Sequence, residues 1–130
     1  MKTHFGFGKS VDLSFEGAIE AVTSGLQKEG FGVLSDIDVS AKIKEKHGKD
    51  MPRYRILGAC NPALAYQAIS AVDEIGLLLP CNVLVRENQD GQVFVSFMDP
   101  ASVLSLVDEP NIESLAGEVK AKLERVMASI

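Results

Sequence analysis

Two thiols and two imidazoles are the side chains of this sequence best equipped for bond-making chemistry: Cys60, Cys81, His4 and His47. Cys60 lies in Gly58-Ala59-Cys60-Asn61-Pro62, where an extended run hands over to a helix. Asn61 is of the type that caps a helix, and Pro62 suits the first helical position. Backbone N–H groups without intrahelical partners gather at such a junction, together with the positive end of the helix dipole. A thiol placed there is a candidate nucleophile of lowered pKa, and an anion or carbonyl could dock on the same groups. Packing as a small buried hydrophobe accounts for a cysteine equally well. Cys81, in Leu79-Pro80-Cys81-Asn82, opens a second extended run just after a proline. The two turns together define a candidate site. Gly58, Ala59, Cys60, Asn61, Cys81 and Asn82 are its candidate ligand-binding residues, and Cys60 and Cys81 its candidate catalytic residues.

Other chemistries find less support. The spacing of the two cysteines matches no zinc pattern and neither histidine belongs to a ligand motif, so no metal site is assigned. A site drawn from Cys60, Cys81, His4 and His47 is kept only as a third, metal-handling reading. No Ser or Cys stands in a local nucleophile motif with a base. Asp36, Asp38, Asp73 and Glu74 read as helix-end carboxylates that capping explains. Arg86 and Glu87 read as edge-strand decoration. Arg53 and Arg55 share a strand face that could recognise a carboxylate or phosphate, or simply meet solvent. No Gly-x-Gly-x-x-Gly follows a strand, so a dinucleotide crevice has no basis and no cofactor is expected.

The elements that must position these residues follow from periodicity. Residues 3–7 alternate with Phe5 and Phe7 on one face, as a half-buried strand does. Ser14 caps a helix carrying Phe15, Ala18, Ile19, Val22 and Leu26 at helical spacing, and Gly30 closes it. A second strand is expected over 32–37. Asp38 or Ser40 then starts a short Lys-rich helix that Gly48 ends. The third strand spans 54–60 with Tyr54 and Ile56 on one face, and the helix from Pro62 reaches about Asp73. Strands over 82–87 and 92–98 flank Asn88-Gln89-Asp90-Gly91 as a hairpin. A short helix begins at Asp99-Pro100 and runs through Leu104. Last comes a helix over 112–130 whose Ile112, Leu115, Ala116, Val119, Leu123, Val126, Met127 and Ile130 form one apolar stripe. The order β-α-β-α-β-α-β-β-α-α makes this an α+β chain, with a mixed or antiparallel sheet carrying helices on a face.

The segments Ile56-Leu57-Gly58-Ala59-Cys60-Asn61-Pro62 and Ile75-Gly76-Leu77-Leu78-Leu79-Pro80-Cys81-Asn82-Val83 carry a resemblance as well. So do the opening run from Ser14 to Val39 and Lys44-Glu45-Lys46-His47-Gly48-Lys49-Asp50. In these stretches the chain resembles the uncharacterised domain-of-unknown-function family 302 of bacteria and archaea. The resemblance implies a compact α+β fold and a dimer, and no biochemical activity.

Composition narrows the function. The chain has 130 residues, which fits a single domain over 1–130. Eighteen acidic side chains stand against 13 basic ones, a net charge of −5, and the densest Lys run alternates with an acid. A nucleic-acid binder needs a basic face, so no nucleic-acid partner is expected. Ile75-Gly76-Leu77-Leu78-Leu79 is far too short to span a bilayer, and the first residues lack the apolar run of a signal peptide, so no membrane partner is expected either. Two cysteines in a chain of this kind suit a reducing, cytoplasmic setting. A mean hydropathy of +0.12 leaves apolar surface that a homodimer would cover. The expected function is therefore a small cytosolic homodimeric module for ligand binding or interaction, with a possible small-molecule ligand at the two turns. A thiol-dependent enzyme or redox sensor using Cys60 and Cys81 is the alternative.

Overall fold

Five strands form one antiparallel sheet in the order β1-β5-β4-β3-β2. They are β1 (Gly6–Val11), β2 (Gly32–Asp38), β3 (Tyr54–Cys60), β4 (Cys81–Glu87) and β5 (Val93–Met98). Helices α1 (Phe15–Lys28), α2 (Val39–His47), α3 (Pro62–Ala71), α4 (Pro100–Val103) and α5 (Pro110–Ser129) connect or follow them. The computed structural model describes residues 2–130, so Met1, part of the expected domain, lies outside the described residues. The expected element order is found, and the sheet is wholly antiparallel. β4 is its central strand.

Local chemistry sets the helix boundaries. Ser14 Oγ accepts the Gly17 N–H at 3.0 Å and starts α1. At the other end Gly30 N–H donates to Gln27 O and Phe31 N–H to Leu26 O at 2.9 Å, the paired bonds of a Schellman turn. Gly30 takes φ of +84° there, which a side chain would resist. Asp38 caps α2 by accepting the Ala41 N–H at 3.0 Å, and Gly48 ends it in the left-handed region.

Helix α1 crosses the sheet from one edge strand, β1, to the other, β2, and α5 packs beside it. Gly25 lets the two helices approach closely: an added Cβ would lie 3.1 Å from Val126 Cγ1. The apolar stripe of α5 faces inward as expected, with Ile112, Ala116, Val119, Leu123 and Val126 buried. Phe15, Val22, Leu26, Leu57, Val83, Val85, Val95 and Phe97 complete the main core beneath the two helices. A second, smaller core of Ala68, Ile75, Leu104, Ile112 and Ala116 ties α3 and α4 to the start of α5. Alternation along the strands turns the opposite sheet face outward, where Tyr54, Ile56, Leu84, Phe94 and Met98 are only half-buried.

Four local expectations need correction. The first strand runs over Gly6–Val11 rather than 3–7, because residues 3–6 form a turn in which Thr3 N–H donates to Gly6 O at 2.9 Å. Phe5 is consequently 68% exposed while Phe7 is buried. Helix α3 stops at Ala71, and Asp73–Leu78 winds as a 3-10 helix. Asp36 is a strand residue whose carboxylate takes the Arg55 guanidinium, Nε to Oδ1 at 3.0 Å, so it caps no helix. Arg86 and Glu87 sit on the central strand, with the Arg86 guanidinium 4.4 Å above the Phe94 ring, so neither decorates an edge. Hairpin pairing had suggested an edge, but β3 and β5 flank β4 on both sides.

Candidate functional site

The two turns singled out by sequence lie side by side at one end of the sheet. Gly58 pairs with Asn82 and Ala59 with Cys81 across β3 and β4. Behind this corner a cavity of about 430 Å³ opens between the sheet end, α3 and α5. It occupies the seam between the main core and the smaller one: Phe31, Ala59 and Cys81 belong to the first, Ala68 and Leu104 to the second. Among the described residues, no charged side chain lines it.

Each wall has a local cause. Asn61 caps α3, its Oδ1 accepting the Leu64 N–H at 3.3 Å while its Nδ2 donates to Glu29 O at 3.5 Å. One amide thus starts the helix and fastens it to the end of α1. Gly30 leaves room for that amide, since a Cβ there would come within 3.0 Å of Asn61 Nδ2. The Schellman turn at Gly30 also delivers Phe31 into the cavity wall, 2% exposed. Leu79 and Pro80, joined by a cis peptide bond, form the opposite rim.

The candidate residues divide cleanly. Ala59, Cys60, Asn61 and Cys81 line this cavity, with Leu79 and Pro80 beside them. Gly58 does not: the Ser35 hydroxyl and the Pro80 ring already fill the space a side chain would need, with Pro80 Cγ 2.9 Å from the Cβ position. That glycine serves close packing. Asn82 points to the other face of the sheet and lines a different hollow. Both cysteines are free, Cys60 half-buried and Cys81 buried. Burial, and secondarily the neighbouring Cys60, push the Cys81 thiol up to about 11. Among the described residues no three His, Cys, Asp or Glu side chains come together, so Cys60, Cys81, His4 and His47 are not assembled into a ligand set.

Sequence reading had not singled out the rest of the wall: Phe31, Leu34, the inner face of α3 and the α5 residues Leu115 and Val119. A signal was present in α3. Its Leu64, Ala65, Tyr66, Ala68 and Ile69 point in all directions round a helix of which only Ala68 is buried, the pattern of a helix that borders space on more than one side.

Arg53 and Arg55 meet protein partners. Arg55 is held by Asp36 and by Glu16 at 3.7 Å, and Arg53 bonds Glu16 while lying 4.1 Å above the Phe15 ring. The cluster staples the start of α1 to the β2–β3 edge.

An antiparallel five-stranded sheet backed by two long helices, with an apolar cavity at one end, defines the class to which this chain belongs. The chain is a member of the family described as Domain of unknown function DUF302, whose pattern matches residues 7–130. It is similar to an uncharacterized conserved DUF302 protein from Bacillus stearothermophilus known from its crystal structure. The two share 26% identity with a TM-score of 0.89, and 98% of each chain is covered. No curated protein matches the chain. No helix among the described residues is long and apolar enough to cross a membrane.

Proposed function

We propose that this protein is a homodimeric module of the cytoplasm that binds a small, uncharged, largely apolar molecule in the cavity between Cys60, Cys81, α3 and α5. The observation that carries this reading is the cavity itself. Its volume of about 430 Å³ lies within the roughly 300–1,000 Å³ usual for ligand sites. Its wall is almost wholly apolar, with Ser35, Asn61 and the two thiols as the polar exceptions. Enclosing a charge there without a partner would carry a heavy desolvation cost, which favours a neutral ligand. Two free thiols suit a reducing compartment.

A thiol-enzyme role is the weaker reading, because it needs Cys81 as partner to Cys60, and burial pushes the Cys81 thiol up to about 11, away from the reactive thiolate. Titration with the neutral solvatochromic dye Nile red tests the binding site. Saturable, blue-shifted emission is expected from the wild type. Ala65→Phe, which fills the cavity from α3, is expected to abolish it while leaving the melting temperature within a few degrees. Absent saturation in the wild type, or undiminished binding by Ala65→Phe, would overturn the reading.

A further inference from the structure

The outward face of the sheet carries a hollow of about 430 Å³ that shares no lining residue with the cavity behind the Cys60 corner. Strand register sets its polarity. Tyr54 stands opposite Arg86 across β3 and β4, and Arg86 opposite Phe94 across β4 and β5. The next row on the same face is Ile56, Leu84 and Ser96. Asn82 follows along β4, facing the same way. The stretch of β4 from Arg86 to Asn82 is about 13 Å long, at roughly 3.3 Å per residue. One end of the hollow is therefore cationic and phenolic, its middle apolar, and its far end carries an exposed amide. Among the described residues Arg86 is the one charged side chain in this wall, although the chain as a whole carries −5.

We propose that this hollow is a second ligand site, which takes a medium-chain monocarboxylate. The carboxylate meets Arg86 and Tyr54, and the apolar body lies over Ile56 and Leu84 toward Asn82. The inference goes beyond the function proposed above and does not rest on it.

Charge selects the anion. The Arg86 side chain lines the hollow while its guanidinium sits 4.4 Å above the Phe94 ring. A guanidinium carries five N–H donors in a rigid fork, so it can keep its partners within the protein and still donate to a carboxylate. Stacking on Phe94 steadies that fork, and the Tyr54 hydroxyl across the strand pair is a further donor. One cation balances one negative charge. A carboxylate brings that single charge, whereas a phosphate monoester brings about −1.5 to −2 at neutral pH, and no second cation in the described wall meets the excess.

Shape selects the body. The volume lies within the roughly 300–1,000 Å³ usual for ligand sites. Phe5, Met98 and Val103 add apolar walls to the strip of Ile56 and Leu84. A chain laid along it removes its own surface and theirs from water. The two sites then sort ligands by charge, the neutral to the cavity and the anionic to the sheet face.

Octanoate, well below its micelle concentration, is the probe. It is titrated calorimetrically into the full chain carrying Ala65→Phe, which fills the other cavity. Saturable binding at one site per chain is expected. Arg86→Met in that background is expected to weaken octanoate at least about tenfold and octanol less than about threefold, with the circular dichroism spectrum unchanged. Arg86→Lys, which keeps the charge and loses the fork, is expected to fall between. Ser96→Phe, which fills the middle of the hollow from β5, is expected to abolish binding of both. Octyl phosphate is expected to bind more weakly than octanoate. No saturable binding of octanoate, or binding undiminished by Ser96→Phe, would overturn the site. A smaller loss in Arg86→Met, or an equal loss for octanol, would overturn Arg86 as the group that receives the anion. Should Arg86→Met lose the spectrum, octanoate binding by Arg86→Lys as tight as the parent's would overturn that role instead. Tighter binding of octyl phosphate would overturn the carboxylate.

Discussion

At Cys81 the thiol stands beside Ala59 with 7% of its surface exposed, and both burial and the neighbouring Cys60 work against the thiolate. In Cys60→Ser, the remaining Cys81 is expected to react with iodoacetamide at pH 8 at least about tenfold more slowly than a simple exposed thiol. The same shift ties stability to pH. The folded value of about 11 lies above the ordinary 9.0, so the stabilisation is whole below pH 9 and is lost as pH rises through 11. Denaturant titrations between pH 9 and 11 should show a loss on the order of 2–3 kcal/mol that Cys81→Ala lacks. Asp99 behaves in the opposite sense. Burial pushes its carboxyl up, but the Lys120 ammonium at 3.0 Å and the Ser102 and Ala101 N–H groups outweigh burial and leave it below the ordinary carboxylate value. Its contribution is present above that ordinary value and lost as pH falls through the folded one, so Asp99→Asn should flatten the acid limb of the stability profile.

Among the elements, α5 carries the heaviest packing load. Leu123 is fully buried between α1 and the sheet, and Leu123→Ala is expected to cost about 2–5 kcal/mol by urea denaturation. A loss well under 1 kcal/mol would mean that α5 does not face the core. Gly58→Val is expected to cost about 1–3 kcal/mol, because it drives a side chain into the Ser35 hydroxyl and the Pro80 ring. These two positions mark what could be read from sequence. The stripe of α5 is a repeating signal spread over 20 residues, and the caps at Ser14, Asp38 and Asn61 are local hydrogen-bond chemistry, so both were legible. That the Cys60 and Cys81 turns would meet was an expectation only, since nothing local to either turn says that β3 pairs with β4 in that register. Close packing was one of the readings that small residues at Gly58 allowed, but the partner was not legible, because Ser35 reaches Gly58 from β2 across a strand pairing that leaves no trace in local composition. Phe31, Leu104 and Leu115 stayed hidden for the same reason: they share a cavity only after α5 has packed back on α1. The first strand was misplaced because glycines at 6 and 8 erase the alternation by which a strand is recognised.

For the molecule as a whole, an apolar cavity without charge should discriminate by ligand charge as well as by size. Competition against bound dye should favour a medium-chain alcohol over the carboxylate of equal length by about tenfold or more at neutral pH, since the described residues of the wall offer no cation to the anion. Equal affinities would place the carboxylate outside the cavity. The strand order carries a consequence for how the chain is made. Strands β2, β3 and β4 pair with neighbours in sequence, and β4 with β5 through a hairpin, but the one strand that pairs with β1 among the described residues is β5, beside a lone bridge from Lys2 to Phe7. As the polypeptide leaves the ribosome, its first strand finds no partner until nearly a hundred residues have been added. The last strand synthesised fills the slot beside the first. Until then the side of β1 that β5 will cover waits for its strand, and α1, whose seat spans both edges, has only half a surface to rest on. A ribosome stalled before Val93 should therefore display β1 as an open strand, available to chaperones and to neighbouring chains alike.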